Sequence, residues 1–313
     1  MIETNMGGSK LKAKLCLHTL LVFAMLASLA TSADVRVQQT ASEAPIVFDA
    51  LTFLGKPDLG LSQALHFIYE WEATLKDEGR ELAAADVSKA SSARTIEADA
   101  YKSLVESHAD YNYLVIDIES LHPEEDPIAI RYVELAKAAA PASKVAWWNL
   151  GPRNVVHPRH RSFDQKKWQA EFDERKALVE ANDFCILGSY FRSDDTLETW
   201  KSRHVPRIAE ARRHYGAKPI FVTLAPHYFD RGKPWPFVSG KLLGDAMDTL
   251  AVHRVDGIVL WSFEGTGQLQ SWDSNWDWVK AVRARTGPNG RLSNLVLESP
   301  QNLWISDPSR SEK

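Results

Sequence analysis

Cysteine is nearly absent from the sequence: only Cys16 and Cys185 occur among 313 residues. Cys16 lies within a predicted export signal, so the mature chain retains Cys185 alone and cannot form an internal disulfide. Cys185 stands in the apolar run FCILGSY without a basic neighbour in sequence, which favours a core thiol over a nucleophile. An exported chain without disulfides needs a large hydrophobic core for its stability.

Several functional signatures are missing as well. No glycine-rich loop of the phosphate-binding type follows a predicted strand, because GTGQ (265–268) is too short. No serine stands in a nucleophile-elbow pattern. A net charge of −4 gives no case for nucleic-acid binding. These absences argue against a nucleotide-phosphate site, a serine hydrolase of that type and a nucleic-acid partner.

The N-terminal segment has the composition of an export signal. Lys10, Lys12 and Lys14 precede the apolar stretch 15–30, and small residues follow it at 30–33. This order predicts a signal peptide over residues 1–33 and a secreted or periplasmic protein. A retained membrane anchor is the alternative, although the stretch is short for a membrane span. No later stretch is apolar enough to cross a bilayer, so we expect no membrane contact after cleavage.

Apolar strand-like runs alternate with amphipathic segments from residue 45 onward. The strand candidates are 46–53, 64–72, 113–120, 145–150, 184–191, 219–226 and 257–265. The helix candidates are 94–108, 128–140, 166–182, 196–215, 241–254 and 274–287. Such alternation indicates parallel βαβ units. It predicts an α/β fold, a single irregular (β/α)7–8 TIM-like barrel over residues 34–287 with a C-terminal tail at 288–313; a doubly wound sheet is the competing architecture.

The third strand candidate, YLVIDIES (113–120), carries two acids in an otherwise apolar run. Because strand side chains alternate, Asp117 and Glu119 share one face and the neighbouring isoleucines share the other. The isoleucines belong against the helices, which turns both acids into the barrel interior. They stand at the carboxyl end of the strand, where such barrels form their active sites.

Two neighbouring acids in a low-dielectric site cannot both ionise freely. Asp117 and Glu119 are expected about 6–7 Å apart, so one of them is predicted to hold its proton near neutral pH. A protonated carboxyl group is what cleavage of a glycosidic bond requires, since the leaving oxygen must be protonated. The structural alternative is that both acids pair with lysine or arginine, or cap neighbouring loops.

Four stretches resemble a known family in their order along the chain: FLGKPDLGL (53–61), FIYEWE (67–72), VIDIESLHP (115–123) and DGIVLWSFEG (256–265). They are similar to strand ends and loops of the hyaluronidase-type enzymes, glycoside hydrolase family 56. That family builds an irregular seven-stranded β/α barrel with an acidic D-x-E at the end of a strand. The correspondences span residues 46–265, most of the mature chain.

The resemblance implies a role for each matching residue. Glu119 would be the general acid, and Asp117 would orient the substrate's own 2-acetamido group, whose carbonyl oxygen attacks the anomeric carbon. Tyr190 would hydrogen-bond that acetamido group, and Trp261 would form the floor under the sugar ring. Further candidate substrate contacts at the strand ends are Tyr69, Glu70, Trp148 and Tyr228.

The chain departs from the family pattern in its sixth strand. The family places an active-site tyrosine there, whereas this sequence has Thr223, with Tyr228 five residues later as the substitute. Two alternative functions therefore stay open. One is a conventional two-carboxylate glycosidase using Glu119 and Glu264, although alternation from Trp261 places Glu264 on the opposite face. The other is a carbohydrate-binding barrel without turnover.

The histidines do not predict a metal site. His157 and His160 have no cysteine or acidic companion at a recognised ligand spacing, and His66 and His253 are interpreted as structural residues. We therefore expect no metal and no cofactor. The expected partner is a polysaccharide or oligosaccharide substrate, and the expected state is a monomer.

Overall fold

The computed structural model describes residues 44–74, 96–151, 164–230, 236–262 and 271–293. The predicted signal peptide, the loop with His157 and His160, Glu264, and residues 294–313 of the predicted tail lie outside this part. The described residues belong to one compact unit, Glu43–Lys313. Among their helices, none combines the length and the apolar character that a bilayer span requires.

Strands and helices alternate along the described part of the chain. Its strands are β1 (Ile46–Ala50), β2 (Leu65–Tyr69), β3 (Tyr113–Asp117), β4 (Lys144–Trp147), β5 (Cys185–Gly188), β6 (Ile220–Leu224) and β7 (Gly257–Trp261). Its α-helices are α1 (Glu70–Thr74), α2 (Ala98–Glu106), α3 (Asp126–Ala139), α4 (Gln165–Asp173), α5 (Lys176–Ala181), α6 (Leu197–Tyr215), α7 (Gly240–Val252) and α8 (Asp277–Arg285). Each predicted strand corresponds to an observed one.

The observed strands end earlier than the apolar runs. In the β2–β3 pair the last partners are Tyr69 and Asp117, so both strands stop together. Helix α1 then begins at Glu70, and Glu119 lies beyond the end of β3. The prediction that FIYEWE and YLVIDIES are strands to their last residues is therefore wrong. Helix α6 starts at Leu197 and continues through Pro206.

The strands follow one another in chain order around a parallel barrel. β1, β7, β6 and β5 form one sheet, and β2, β3 and β4 form the other. All paired strands are parallel. Strand β1 also contacts β2, and β4 contacts β5. This neighbour order confirms the predicted irregular TIM-like barrel, which has seven strands within the described residues.

The hydrogen-bonded sheets are interrupted at two places, between β4 and β5 and between β1 and β2, which we call seams. There, side chains and a loop residue form hydrogen bonds with the backbone groups of the strand edges. At the β4–β5 seam, the N–H of Trp147 donates to Oδ1 of Asn182 at 2.5 Å, and the N–H of Val145 donates to Oδ2 of Asp183 at 2.9 Å. At the β1–β2 seam, Ser62 pairs with β1 through two backbone hydrogen bonds of 2.9 Å. Because unpaired strand edges are costly when buried, these contacts stabilise the interruptions.

The core has two layers. An outer layer packs the strands against the helices and contains Val47, Ile68, Ile116, Val222 and Ile258. An inner layer fills the barrel and contains Phe48, Phe67, Val115, Ile186 and Val259. The ring of Tyr113 contacts the rings of Phe48, Phe184 and Phe221, with centroids 5.0 to 5.5 Å apart. These aromatics close the amino end of the barrel interior, so the carboxyl end is the side that can admit a ligand.

Candidate active site

Asp117 ends β3 on the inner side of the barrel. Val115, two residues earlier, belongs to the inner layer, whereas Ile116 and Ile118 belong to the outer layer. The alternation predicted from the sequence is therefore confirmed. It places the Asp117 carboxyl above the inner layer, at the carboxyl end of the strands.

The Asp117 carboxyl resists ionisation. Burial, together with the charges of the neighbouring acids Glu119 and Glu70, raises its pKa from 3.8 to about 7. Its Oδ1 is buried and has no hydrogen-bond partner within the described residues. The predicted proton-holding acid of the pair is thus Asp117. Within the described part of the chain neither acid forms an ion pair, which argues against the structural alternative of lysine or arginine partners.

Glu119 lies at the mouth of the barrel. It is exposed and stands two residues beyond the end of β3. The indole Nε1 of Trp148 donates a hydrogen bond to its Oε1 at 3.2 Å. Trp148 itself is buried and packs in the inner layer. An indole N–H can only donate, so this contact holds the carboxyl toward the barrel interior while leaving it accessible to a ligand.

Five aromatic side chains, which we call the aromatic wall, are linked to one another and to the acids: Tyr69, Trp148, Tyr190, Phe229 and Trp261. The indole Nε1 of Trp261 donates to the hydroxyl of Tyr69 at 3.0 Å. The Tyr190 ring stacks on Phe229 with centroids 4.1 Å apart and on Trp261 at 5.6 Å. Its centroid lies 6.3 Å from that of Trp148. Phe229 is exposed and Tyr69 and Tyr190 are half-buried, whereas Trp148 and Trp261 are buried. Planar rings that are open to solvent are suited to stacking against a sugar ring.

Tyr190 is coupled electrostatically to the acid pair. Burial raises the pKa of its phenol well above the usual value, and the charges of Asp117 and Glu119 raise it further. The hydroxyl therefore stays neutral and remains a hydrogen-bond donor. The structure places Tyr190 next to both acids.

Gly188 and the buried Arg207 position the residues of the aromatic wall. A Cβ on Gly188 would lie 3.2 Å from the Trp148 ring and 3.4 Å from the Tyr190 ring, so glycine permits their close approach. Arg207, 2% exposed, reaches from α6 and donates to the Gly188 carbonyl at 2.7 Å and to Oδ1 of Asn149 at 2.9 Å. Asn149 has a left-handed backbone, with φ of 49°. The arginine thereby holds the ends of β4 and β5 together.

Other predicted residues have different positions. Glu70 is half-buried at the start of α1, and its Oε2 accepts the N–H of Ser120 at 3.3 Å; it contributes to the raised pKa of Asp117. Tyr228 packs against the outer layer, which contradicts its expected place at the substrate. Its neighbour Phe229 stacks on Tyr190 instead. Thr223 is fully buried on the inner side of β6, so it brings no hydroxyl to the mouth.

Sequence reasoning missed Phe229 and Arg207. Phe229 follows β6 in a loop, where strand alternation no longer decides which of two adjacent aromatics faces inward. Arg207 looks like one more surface charge on α6, because neither helix periodicity nor composition reveals a buried hydrogen-bond partner. The adjacent aromatic residues Tyr228 and Phe229 are the one sequence signal that could have pointed to Phe229.

Comparison with known proteins supports the fold. No protein-family model and no curated protein matches the sequence. The monoclinic crystal structure of bee venom hyaluronidase matches with a TM-score of 0.54 and 13% identity, covering 70% of this chain and 91% of that chain. Bee venom hyaluronidase in complex with a hyaluronic acid tetramer matches with a TM-score of 0.52 and 15% identity, covering 69% and 90%. At such identities the likeness shows a shared barrel fold.

Proposed function

We propose that the protein is a glycoside hydrolase that cleaves polysaccharides containing N-acetylhexosamine. The observation that carries the proposal is the placement of Asp117: a carboxyl with a pKa of about 7, without a cationic partner in the described residues, beside the more exposed Glu119 and the aromatic wall. Groups with strongly perturbed pKa values in an open site are candidates for acid–base chemistry. The fold shared with bee venom hyaluronidase supports the same class of substrate.

In the proposed mechanism the proton that Asp117 holds near neutral pH passes to Glu119 when the substrate binds. Glu119 protonates the glycosidic oxygen, and the bond between that oxygen and the anomeric carbon breaks. The carbonyl oxygen of the substrate's 2-acetamido group bonds to the anomeric carbon, and the Asp117 carboxylate stabilises the positive charge that develops on the acetamido nitrogen. Glu119, now ionised, then takes a proton from water, which attacks the anomeric carbon and restores the acetamido group. The configuration at the anomeric carbon is retained.

The aromatic wall supplies the binding surface in this proposal. Trp261 and Tyr190 stack under the sugar, and the neutral Tyr190 hydroxyl donates to the acetamido carbonyl oxygen. Trp148 fixes Glu119 through the indole hydrogen bond. Glu70, whose charge raises the pKa of Asp117, keeps a proton on the pair until the substrate arrives.

The test is replacement of Glu119 by glutamine. Removing the acid should lower the rate of cleavage by about 10²–10⁴-fold, the usual contribution of a general acid, with an unchanged circular dichroism spectrum. The measurement is the release of new reducing ends from hyaluronan, chondroitin and chitin oligosaccharides. Glu124→Gln, an equally exposed site five residues further on, is the matched control and should keep full activity. Wild-type rates in Glu119→Gln would remove Glu119 from the mechanism.

A carbohydrate-binding barrel without turnover is the second candidate function. The burial of Thr223 favours it, because β6 then contributes no hydroxyl near the acid pair. Binding of the same oligosaccharides to the wild-type protein without any new reducing ends would support this function over hydrolysis. The conventional two-carboxylate chemistry with Glu264 is the remaining alternative and is separated from the proposal by substrates that lack the acetamido group.

A further inference from the structure

Three potential metal ligands converge on the outside of the barrel, away from the acid pair. They are His66 of β2, Glu72 of α1 and His108, which follows α2; we call them the histidine–glutamate cluster. One nitrogen or oxygen atom from each lies within 4.8 Å of the others. His66 neighbours Phe67 in β2, and Phe67 belongs to the inner layer, so His66 faces the opposite side. The sequence predicted His66 to be only structural.

The cluster contains an imidazole nitrogen that lacks a partner. Nε2 of His66 is buried and accepts or donates no hydrogen bond within the described residues. The ring is held by stacking on His108, with centroids 4.0 Å apart, and on Tyr111 at 4.8 Å. Burying a polar atom without a partner is unfavourable, and such an atom calls for an explanation such as a bound ion.

Glu72 is already oriented by the backbone. Its Oε2 accepts the N–H of Tyr69 at 2.8 Å, which fixes the carboxyl while leaving further lone pairs for a ligand. Hydrogen bonds of this kind orient metal ligands from outside the first coordination sphere.

The ligand atoms that the histidine–glutamate cluster offers favour one class of metal ion. Two imidazoles and one carboxylate suit zinc and neighbouring transition metals, whereas calcium and magnesium prefer oxygen ligands alone. Zinc–ligand bonds are about 2.0–2.2 Å long, so the three ligand atoms, which lie within 4.8 Å of one another, reach one ion after side-chain rotations that turn the His66 and His108 rings out of their stacked arrangement. Water would complete the coordination, since the cluster offers three protein ligands.

We propose that His66, Glu72 and His108 form a binding site for a divalent transition-metal ion of the zinc class. The ion would join β2 and α1 to the end of α2. It would thereby fix the turn that carries Tyr69, three residues before Glu72, into the aromatic wall. The site is independent of the proposed hydrolase chemistry, because none of its ligands contacts the acid pair in the described structure.

The test is a calorimetric titration of the chelator-treated full chain with zinc chloride. We expect binding of one zinc ion per chain and a rise in the thermal midpoint of unfolding. Glu72→Gln, which retains an oxygen for the Tyr69 N–H, should weaken zinc binding by about ten-fold or more, as should His108→Ala. Cobalt(II) should bind the same site and produce visible absorption bands that both variants lose. Circular dichroism of the metal-free variants checks that they are folded.

Two controls exclude other histidines. His122→Ala removes an exposed histidine outside the cluster and should leave zinc binding unchanged. The double variant His157→Ala, His160→Ala removes two histidines that are close together in sequence. It should also bind zinc normally. Absence of zinc binding by the wild type, full binding by Glu72→Gln and His108→Ala, or loss of binding in the double variant alone would each overturn the proposal.

Discussion

At the scale of single residues, burial of the Asp117 carboxyl serves the proposed function but lowers the stability of the fold when the carboxyl is ionised. The fold places this carboxyl among aromatic rings and other acids, so its ionised form is disfavoured. A group whose pKa is higher in the folded than in the unfolded chain favours folding only while it is protonated. Its stabilising contribution is therefore complete at low pH and is lost as the pH rises from about 4 to about 7.

Asp117→Asn should make the protein more stable at alkaline pH. The pKa of about 7 against the usual 3.8 sets an upper limit of roughly 4 kcal/mol on the cost of ionising Asp117 in the fold. We expect the variant to exceed the wild type by about 1–3 kcal/mol in the free energy of unfolding at pH 8, with little difference at pH 4. Urea titrations at the two pH values measure this, and Asp110→Asn, at an exposed site, is the control. An equal or lower stability of Asp117→Asn at pH 8 would contradict the burial of an ionisable carboxyl.

Trp148→Phe isolates the hydrogen bond to Glu119. The variant keeps a ring in the inner layer but removes the indole N–H that donates to Oε1. Hydrogen bonds to charged groups contribute about 1.5–3 kcal/mol, so we expect kcat to fall about ten-fold or more in the reducing-end assay. Trp278→Phe is the matched control, because its Nε1 is buried in the outer layer without a hydrogen-bond partner in the described residues. Equal activities of the two variants would show that the indole N–H does not position Glu119.

At the scale of elements, the ends of the strands position the residues of the candidate site, and the contacts at the two seams stabilise the barrel. Asn182 is fully buried just before β5. Its side chain accepts the N–H of Trp147 and donates to the carbonyl of Leu178 at 2.8 Å. A single side chain thus replaces a missing strand-to-strand hydrogen bond.

Asn182→Ala should destabilise the β4–β5 seam. It leaves the Trp147 N–H without its acceptor, while the Leu178 carbonyl keeps its hydrogen bond from the backbone N–H of residue 182. The loss should lower the free energy of unfolding by about 1–3 kcal/mol. Denaturant titration measures the change. Asn112→Ala, at an exposed position before β3, is the control and should be within about 0.5 kcal/mol of the wild type. If both variants unfold at the same denaturant concentration, Asn182 does not stabilise the seam.

Sequence periodicity predicted the elements better than their ends. Alternation assigned Asp117 and the flanking isoleucines to the correct faces, because a two-residue period in a buried strand has only one arrangement that hides the isoleucines. Periodicity does not report where pairing stops, so Glu70 was assigned to a strand although it begins α1. In the loop after β6, no period applies, and the inward-facing ring is Phe229 rather than Tyr228.

At the scale of the whole molecule, the order of strands and helices was sufficient to predict the barrel. Parallel strands joined by helices have few compact arrangements, and seven repeats favour closure over an open sheet. The hydrogen bonds between Asn182 and Trp147 and between Arg207 and Asn149 could not be predicted, since they join residues 35 and 58 positions apart in sequence. Export, cleavage near residue 33 and a separate C-terminal tail remain predictions.

The most direct test of the central claim compares two forms of one polymer. The wild-type protein is incubated with chitin oligosaccharides and with the same oligosaccharides after removal of the N-acetyl groups, and new reducing ends are measured for both. If Asp117 and Glu119 act through the substrate's acetamido group, only the acetylated form is cleaved. Comparable cleavage of the two forms, or binding of the acetylated form without any cleavage, would contradict the account.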